Sequence, residues 1–354
     1  MKDTLLENYN YDIPAELIAQ KPVENRQESR LFVVNRQTEK FEHKNFFDIA
    51  DYFNEGDCLV VNTTKVVPSR LFGKKESGGK VEFLFLDPAG LGKDLPENEY
   101  KVLMKPSLEI GKKVLFPNEF SAEIKEKTAS GETIVKFNKP GVEELLEKNG
   151  IMPLPPYINR KDGLAIELSE FDRNRYQTVY AASSGAIAAP TAGLHFTQEV
   201  FDKLKAKGVK IAKLTLHVGW GTFKPIIKED VSEHKMLPER FSLDSNNAEI
   251  INSAKLAGKN VFAVGTTSCR ALESLAAVYG KTLQAYKGET DIFIYPGYKF
   301  QIVDKLITNL HLPKSTPLMM ASAFSSRELM LKAYQEAVME KYRFFSYGDS
   351  MIIL

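Results

Sequence analysis

The sequence predicts a mixed α/β main domain interrupted by an inserted all-β, barrel-like domain, on three observations. Across residues 70–138, short apolar strands succeed one another with Gly-Gly, Asp-Pro, Pro-Asn and Ser-Gly between them. Regular short strands with such punctuation, and no helical period, read as a small barrel or sandwich. On either side of this block, apolar strands alternate with capped helical stretches, the pattern of a sheet covered on both faces. Finally, 354 residues exceed what one small core organises. The predicted division is therefore residues 1–66 for the first part of the main domain, 67–150 for the barrel and 151–354 for the second part.

Taken in order, one helix-like turn follows Pro14, and LFVVN (31–35) and CLVVN (58–62) are apolar enough for buried strands. RLFGK, KVEFLFLD, YKVLMKP, KKVLFP, FSAEIKEK and ETIVKFN supply the barrel. A short helix over 142–148 closes with Gly150 as its left-handed cap. The proline-rich MPLPPYINR (152–160) leads back to the main domain. Thr197 caps a helix to Lys207 that Gly208 ends. VKIAKLTLHV is the next strand, then a helix from Ser245 to Gly258, then the buried strand NVFAVG. TTSCRALESLAAVYG reads as a helix closing at Gly280, and DIFIY and KFQIV as strands. Ser325 and Glu328 have capping-box spacing for a last helix reaching about Tyr342. This alternation predicts a largely parallel sheet.

Composition excludes more than it identifies. A net charge of +1 provides no whole-molecule field toward nucleic acid or membrane, although a local basic face suffices to meet phosphates. Cys58 and Cys269 stand alone, which fits a reducing cytoplasm and leaves no disulfide framework or thiolate zinc site. No apolar run approaches the roughly 20 residues of a membrane span, and the first residues carry no signal-peptide pattern. Phosphate-loop, dinucleotide and HExxH patterns are absent, so neither a metal nor a dinucleotide cofactor is expected. The expectation is a cytoplasmic monomer.

Chemistry concentrates in GAIAAPTAGLHFT (185–197) and TLHVGWGTFKP (215–225). Small residues such as Gly193 let a backbone approach a ligand, and histidine titrates near neutral pH. His195, His217 and His311 each sit in a short motif beside Gly or Pro; any one alone is more often a hydrogen-bonded structural group. His43 and His234 lie in charged sequence and are assigned no chemistry. At AVGTTSCRALES (263–274), Gly265 permits a tight turn, and Thr266, Thr267 and Ser268 stand at a helix N-terminus suited to a carboxylate or phosphate. Arg270 could add a bidentate contact; plain N-caps and a surface arginine are the simpler reading. Asp291 is either a strand-edge turn residue or a base and amine binder. Arg26, Arg30, Lys65, Arg70, Lys224, Lys314 and Arg343 are the candidate phosphate contacts. Trp220, Phe223 and Tyr342 among them could stack unpaired bases.

Nearly end to end, these segments resemble the S-adenosylmethionine:tRNA ribosyltransferase-isomerases of queuosine biosynthesis. The resemblance covers IAQKPVENRQESRL, VVNTTKVVPSRLFGKK, MPLPPYINR, RYQTVYA, both histidine motifs, AVGTTSCRALES, LITNLHLPKSTPLMMASAF and YRFFSYGDSMII. Two departures stand out: Trp220, where the family commonly has a small or aliphatic residue, and Leu237, where it commonly has a histidine. The second leaves Glu239 as the matching carboxylate, grouped here with the substrate-binding residues. The resemblance implies transfer and isomerisation of the ribosyl group of S-adenosylmethionine onto an aminomethyl-deazaguanine at the tRNA wobble position. The products would be epoxyqueuosine-tRNA, adenine and methionine, with S-adenosylmethionine consumed as co-substrate rather than held as a cofactor. It also implies an α/β domain interrupted by a β-barrel. Such chemistry needs a base to remove a proton beside the sulfonium, a proton donor to the departing adenine and a neutral attacking amine. The assignment that follows gives His195 the base role, His217 or His311 the acid role and Asp291 the amine. Thr266, Thr267, Ser268 and Arg270 would hold the methionine carboxylate. A non-catalytic RNA-binding protein and an RNA methyltransferase using the same donor are the alternatives.

Overall fold

The computed structural model describes all residues except 1–2, 89–94, 130 and 161–163, with the side chains of 164–169 and 222–223 also outside the description. Its main sheet has nine strands. Four of them, Lys210–Leu216, Cys58–Asn62, Val261–Val264 and Lys305–Asn309, lie side by side and parallel in that order. Ser350–Ile353 adds antiparallel to the last, then Arg30–Asn35 parallel and Lys40–Asn45 antiparallel. At the other edge Glu239–Leu243 and Tyr286–Thr290 extend the sheet antiparallel. The sheet is thus mixed rather than largely parallel.

Both faces are covered. Cys58 and Val60 point into one apolar cluster with Leu272 and Met320, while Leu59 and Val61 point into another with Phe53 and Phe262. This is why CLVVN reads as a continuous apolar run. Six antiparallel strands, from Arg70–Lys75 to Thr133–Phe137, close into a barrel filled by Val81, Phe83, Val102, Ile124 and Val135. In sequence the barrel lies between Cys58–Asn62 and Lys210–Leu216, which are neighbours in the main sheet. It is an insertion between two adjacent strands.

Several local expectations need correction. Gly150 is extended, with φ −72°. A Cβ there would sit 2.0 Å from the Pro68 carbonyl oxygen, so close backbone approach rather than a left-handed turn requires glycine. Asp244, not Ser245, caps its helix, accepting from Asn247 N at 2.8 Å. Ser326, not Ser325, caps the last helix, which ends at Met339. DIFIY and KFQIV are not strands. Their place is taken by Tyr286–Thr290 and Lys305–Asn309, with irregular chain between. For KFQIV the cause is Glu273, fully buried, whose carboxylate accepts from Gln301 N, Ile302 N and Val303 N at 2.9, 3.0 and 3.0 Å. Those donors would otherwise serve a strand ladder. A helix over Thr316–Phe324, capped by Ser315, goes unread in the continuous apolar stretch PLMMASAF.

Candidate active site

The C-terminal ends of the four parallel strands share one edge of the sheet, the usual place for a ligand in an α/β fold. Asn62 ties these ends together: its Nδ2 donates to the Leu216 carbonyl at 2.9 Å and to Thr267 Oγ1 at 3.2 Å, and its Oδ1 accepts from Leu216 N at 2.9 Å. Above this edge opens a cavity of about 370 Å³, within the range of small-molecule sites.

Two helix N-termini contribute to its wall. Gly265, in the left-handed region at φ +83°, turns the strand Val261–Val264 directly into the helix Gly265–Tyr279. Among the described residues no side chain caps that helix, and Gly265, Thr266 and Thr267 line the cavity. Ser315, Thr316 and Pro317, at the start of the second helix, line it as well. Tyr157, Tyr176 and Phe345 form an aromatic side, with Tyr157 and Phe345 ring centres 4.9 Å apart. An aromatic wall of this kind suits a purine or a cation such as a sulfonium. Lys224 and Lys314 stand at the same cavity.

The histidines separate into three situations. His311 lines the cavity; its Nε2 is 2.6 Å from Thr308 Oγ1 and its backbone N donates to Tyr334 Oη at 2.8 Å. Burial pulls its imidazole down to about 3, so the ring is neutral near pH 7. His195 is not part of that lining. It sits behind it, 5% exposed, with Nε2 accepting from Asn309 Nδ2 at 3.2 Å. Its Nδ1 is 2.7 Å from Ser29 Oγ, whose own proton goes to the Arg26 carbonyl, so Nδ1 carries the hydrogen. Asn309 in turn accepts from Thr191 Oγ1 at 2.9 Å, and both Asn309 and Thr191 line the cavity. Burial first, then Arg343 and Arg26, hold His195 down at about 3. His217 lies outside the cavity lining, its Nδ1 2.8 Å from Thr64 Oγ1.

Other expected residues fall elsewhere. Asp291 is exposed and follows a strand instead of beginning one. Gly193 meets protein, since a Cβ there would lie 2.0 Å from Tyr180 Oη. Ser268 is buried and outside the lining, with its Oγ unpartnered. Arg270 and Glu239 form a buried ion pair; Glu239 also accepts from Gly219 N at 2.8 Å, and Arg270 Nε donates to the Ile292 carbonyl at 3.0 Å. Among the described residues Arg270 Nη2 has no hydrogen-bond partner, and Arg270 lines a small side hollow with Thr266, Thr267 and Thr316. Leu237 packs on Gly221, 3.1 Å from where a Cβ would stand. Among the described residues, no group of three His, Cys, Asp or Glu could hold a metal ion, and no helix could cross a membrane.

The candidate phosphate contacts have different surroundings. Lys65 is exposed, Arg70 pairs with Glu82 at 2.9 Å, and Arg30 lies over the Tyr342 ring at 3.7 Å. Lys314 pairs with Glu7 at 2.6 Å, and Lys224 stands 5.3 Å from the Trp220 ring. The Phe223 side chain lies outside the described residues. Arg26 and Arg343 meet at a separate hollow. Sequence reasoning singled out neither Asn309, Thr191 and Thr308 nor Tyr157 and Ser346. All five lie inside motifs quoted above, but nothing local marks them out from their neighbours.

Fold and cleft together make an α/β protein with a small-molecule-sized cavity at the C-terminal edge of its parallel strands. The chain belongs to the queuosine biosynthesis protein family, whose sequence model matches residues 6–353. It is 50% identical over 351 residues, 98% of each chain, to an S-adenosylmethionine:tRNA ribosyltransferase-isomerase of Clostridioides difficile. It is 49% identical, again over 98% of each chain, to the enzyme of that name from Acetivibrio thermocellus. Among solved structures it is similar to an S-adenosylmethionine tRNA ribosyltransferase from Thermotoga maritima. There the identity is 33% and the TM-score 0.56, covering 98% of this chain and all of that one.

Proposed function

We propose that this chain transfers and isomerises the ribosyl group of S-adenosylmethionine onto an aminomethyl-deazaguanine at the wobble position of tRNA, releasing adenine and methionine. The observation that carries this reading is a single cavity combining an aromatic wall, an uncapped helix N-terminus and a neutral histidine. The ribosyltransferase-isomerase names of relatives at about 50% identity support it. Neither a bare RNA platform nor a methyltransferase is favoured by any feature of the cleft.

In this reading the sulfonium nucleoside occupies the cavity with its purine against Tyr157, Tyr176 or Phe345. The methionine carboxylate meets the N–H groups at Thr266 and Thr267, with the spare Nη2 of Arg270 in the side hollow as a further donor. His311, neutral and in the lining, takes the base role that sequence gave to His195. A ring held down at about 3 does not arrive protonated as the acid and is a weak base, so its place in the lining, not its basicity, carries this assignment. His195 acts through Asn309, fixing the amide that faces the cavity. Asp291 and His217 lie outside the cavity and are assigned no step. The RNA stands at the open side, where Lys224 and Lys314 are, with its base splayed out of the loop.

Product analysis tests this. Incubation of the protein with S-adenosylmethionine and tRNA bearing the aminomethyl base should release adenine and methionine in step with RNA modification. His311→Ala should lower single-turnover rates by at least about a hundredfold. Release of S-adenosylhomocysteine, or no turnover by the native protein, would overturn the reading.

A further inference from the structure

Three arginines meet beside the cleft. Arg26 begins a short turn (Arg26–Glu28), Arg175 ends the helix Leu164–Arg175, and Arg343 lies in the segment before Ser350–Ile353. All three line one hollow of about 10 Å³ with His195, so a phosphate would rest at its mouth and not inside it, and Ser346 belongs to both this hollow and the main cavity. The fold, rather than sequence proximity, gathers them.

Their partners are unusual for such a concentration of positive charge. Arg26 donates to the carbonyls of Leu194 and Asn174, both at 3.0 Å. Arg175 donates to those of Glu24 at 2.6 Å and Val23 at 2.5 Å. Arg343 donates to those of Lys21 at 3.3 Å and Tyr347 at 2.5 Å. Neutral carbonyls aim a guanidinium without neutralising it. Asp349 forms a long ion pair with Arg343, 3.9 Å from its Nε, while also accepting from Arg30 N at 3.1 Å and Arg343 N at 2.8 Å, so Arg343 is partly neutralised. The exposed Glu24 carboxylate is within electrostatic range of Arg175. Among the described residues, the buried Nε atoms of Arg175 and Arg343 have no hydrogen-bond partner. Burial, and then the neighbouring Arg175 charge, hold the Arg26 guanidinium down at about 10. A carbonyl staple alone would need no such convergence of like charges.

We propose that Arg26, Arg175 and Arg343 cradle one phosphodiester of the RNA backbone, beside the nucleotide whose base enters the cleft. This rests on the tRNA reading above. S-adenosylmethionine carries no phosphate, and its carboxylate is placed at Thr266, Thr267 and Arg270, so the cradle addresses the polymer. Guanidinium forks match phosphate oxygens, and the contact through Ser346 puts the cradle next to the cavity that the target base must enter.

The test compares native protein with the double variants Arg175→Gln/Arg343→Gln and Arg175→Lys/Arg343→Lys, each checked for folding by thermal melting. An anticodon stem-loop RNA is titrated at several salt concentrations, and S-adenosylmethionine is titrated separately. The Gln pair should bind the RNA at least about tenfold more weakly, with a salt slope shallower by about 0.7, and bind S-adenosylmethionine unchanged. The Lys pair should keep most of the slope. One uncharged methylphosphonate linkage next to the target nucleotide should weaken native binding similarly and leave the Gln pair unaffected. An unchanged affinity and slope in a folded Gln pair would overturn the proposal. So would native binding indifferent to a methylphosphonate at any loop linkage, which decides the matter even if the Gln pair fails to fold. If the native protein releases adenine normally while the cradle tests fail, only this inference falls. If it binds no RNA, the tRNA reading falls with it.

Discussion

Burial, more than any neighbouring charge, sets the state of the two histidines closest to the cleft. His195 and His311 are both held down at about 3, against an ordinary value near 6.5. Below about pH 6.5 the unfolded chain therefore binds protons that the folded chain refuses, and stability falls as pH drops toward 3. For fully buried His195 the loss approaches about 1.4 kcal/mol per pH unit inside that window. His195→Gln should thus melt with a flatter pH dependence than the native protein between about pH 6.5 and about pH 4. Parallel pH dependences would contradict the assignment of a neutral, buried imidazole. At this scale His311, Thr266 and Thr267 were legible because their motifs leave regular structure at strand ends. That His195 faces Asn309 and Ser29 rather than the cavity was not, since a motif does not record which way a ring turns.

The element most dependent on a single side chain is the irregular chain between Tyr286–Thr290 and Lys305–Asn309. Glu273 holds it from the helix Gly265–Tyr279, accepting three backbone N–H groups and the Tyr298 hydroxyl at 3.1 Å. Replacing one acceptor oxygen by an amide NH2 would face donor with donor. Glu273→Gln should therefore cost about 1–3 kcal/mol in denaturant unfolding, and a loss below about 0.5 kcal/mol would argue against this role. The same contact explains why KFQIV misreads as a strand: its composition is strand-like, but a buried carboxylate 28 to 30 residues away captures the ladder donors. Barrel strands were readable because period-two burial, as in Lys80–Phe85, is written in local sequence. The helix Thr316–Phe324 was not, because an all-round apolar run carries no face.

For the whole molecule, the decisive arrangement is the shared edge at which Asn62, Leu216, Val264 and Asn309 end their strands. Segments more than a hundred residues apart, Thr191 and Asn309 among them, meet there to form one cavity. The inserted barrel leaves that edge intact because the strands that bracket it in sequence still pair with each other. The α/β class and the insertion were visible in the alternation of strands and helices. The mixed strand directions were not, since pairing partners such as Leu31 and Ser350 are separated by most of the chain. The most direct test of the account is a crystal structure of the protein soaked with S-adenosylmethionine. The account predicts the sulfonium nucleoside between Thr266 and His311, its purine on the Tyr157–Phe345 side. Ordered ligand in the barrel or beyond the sheet edge, with this cavity empty, would contradict it.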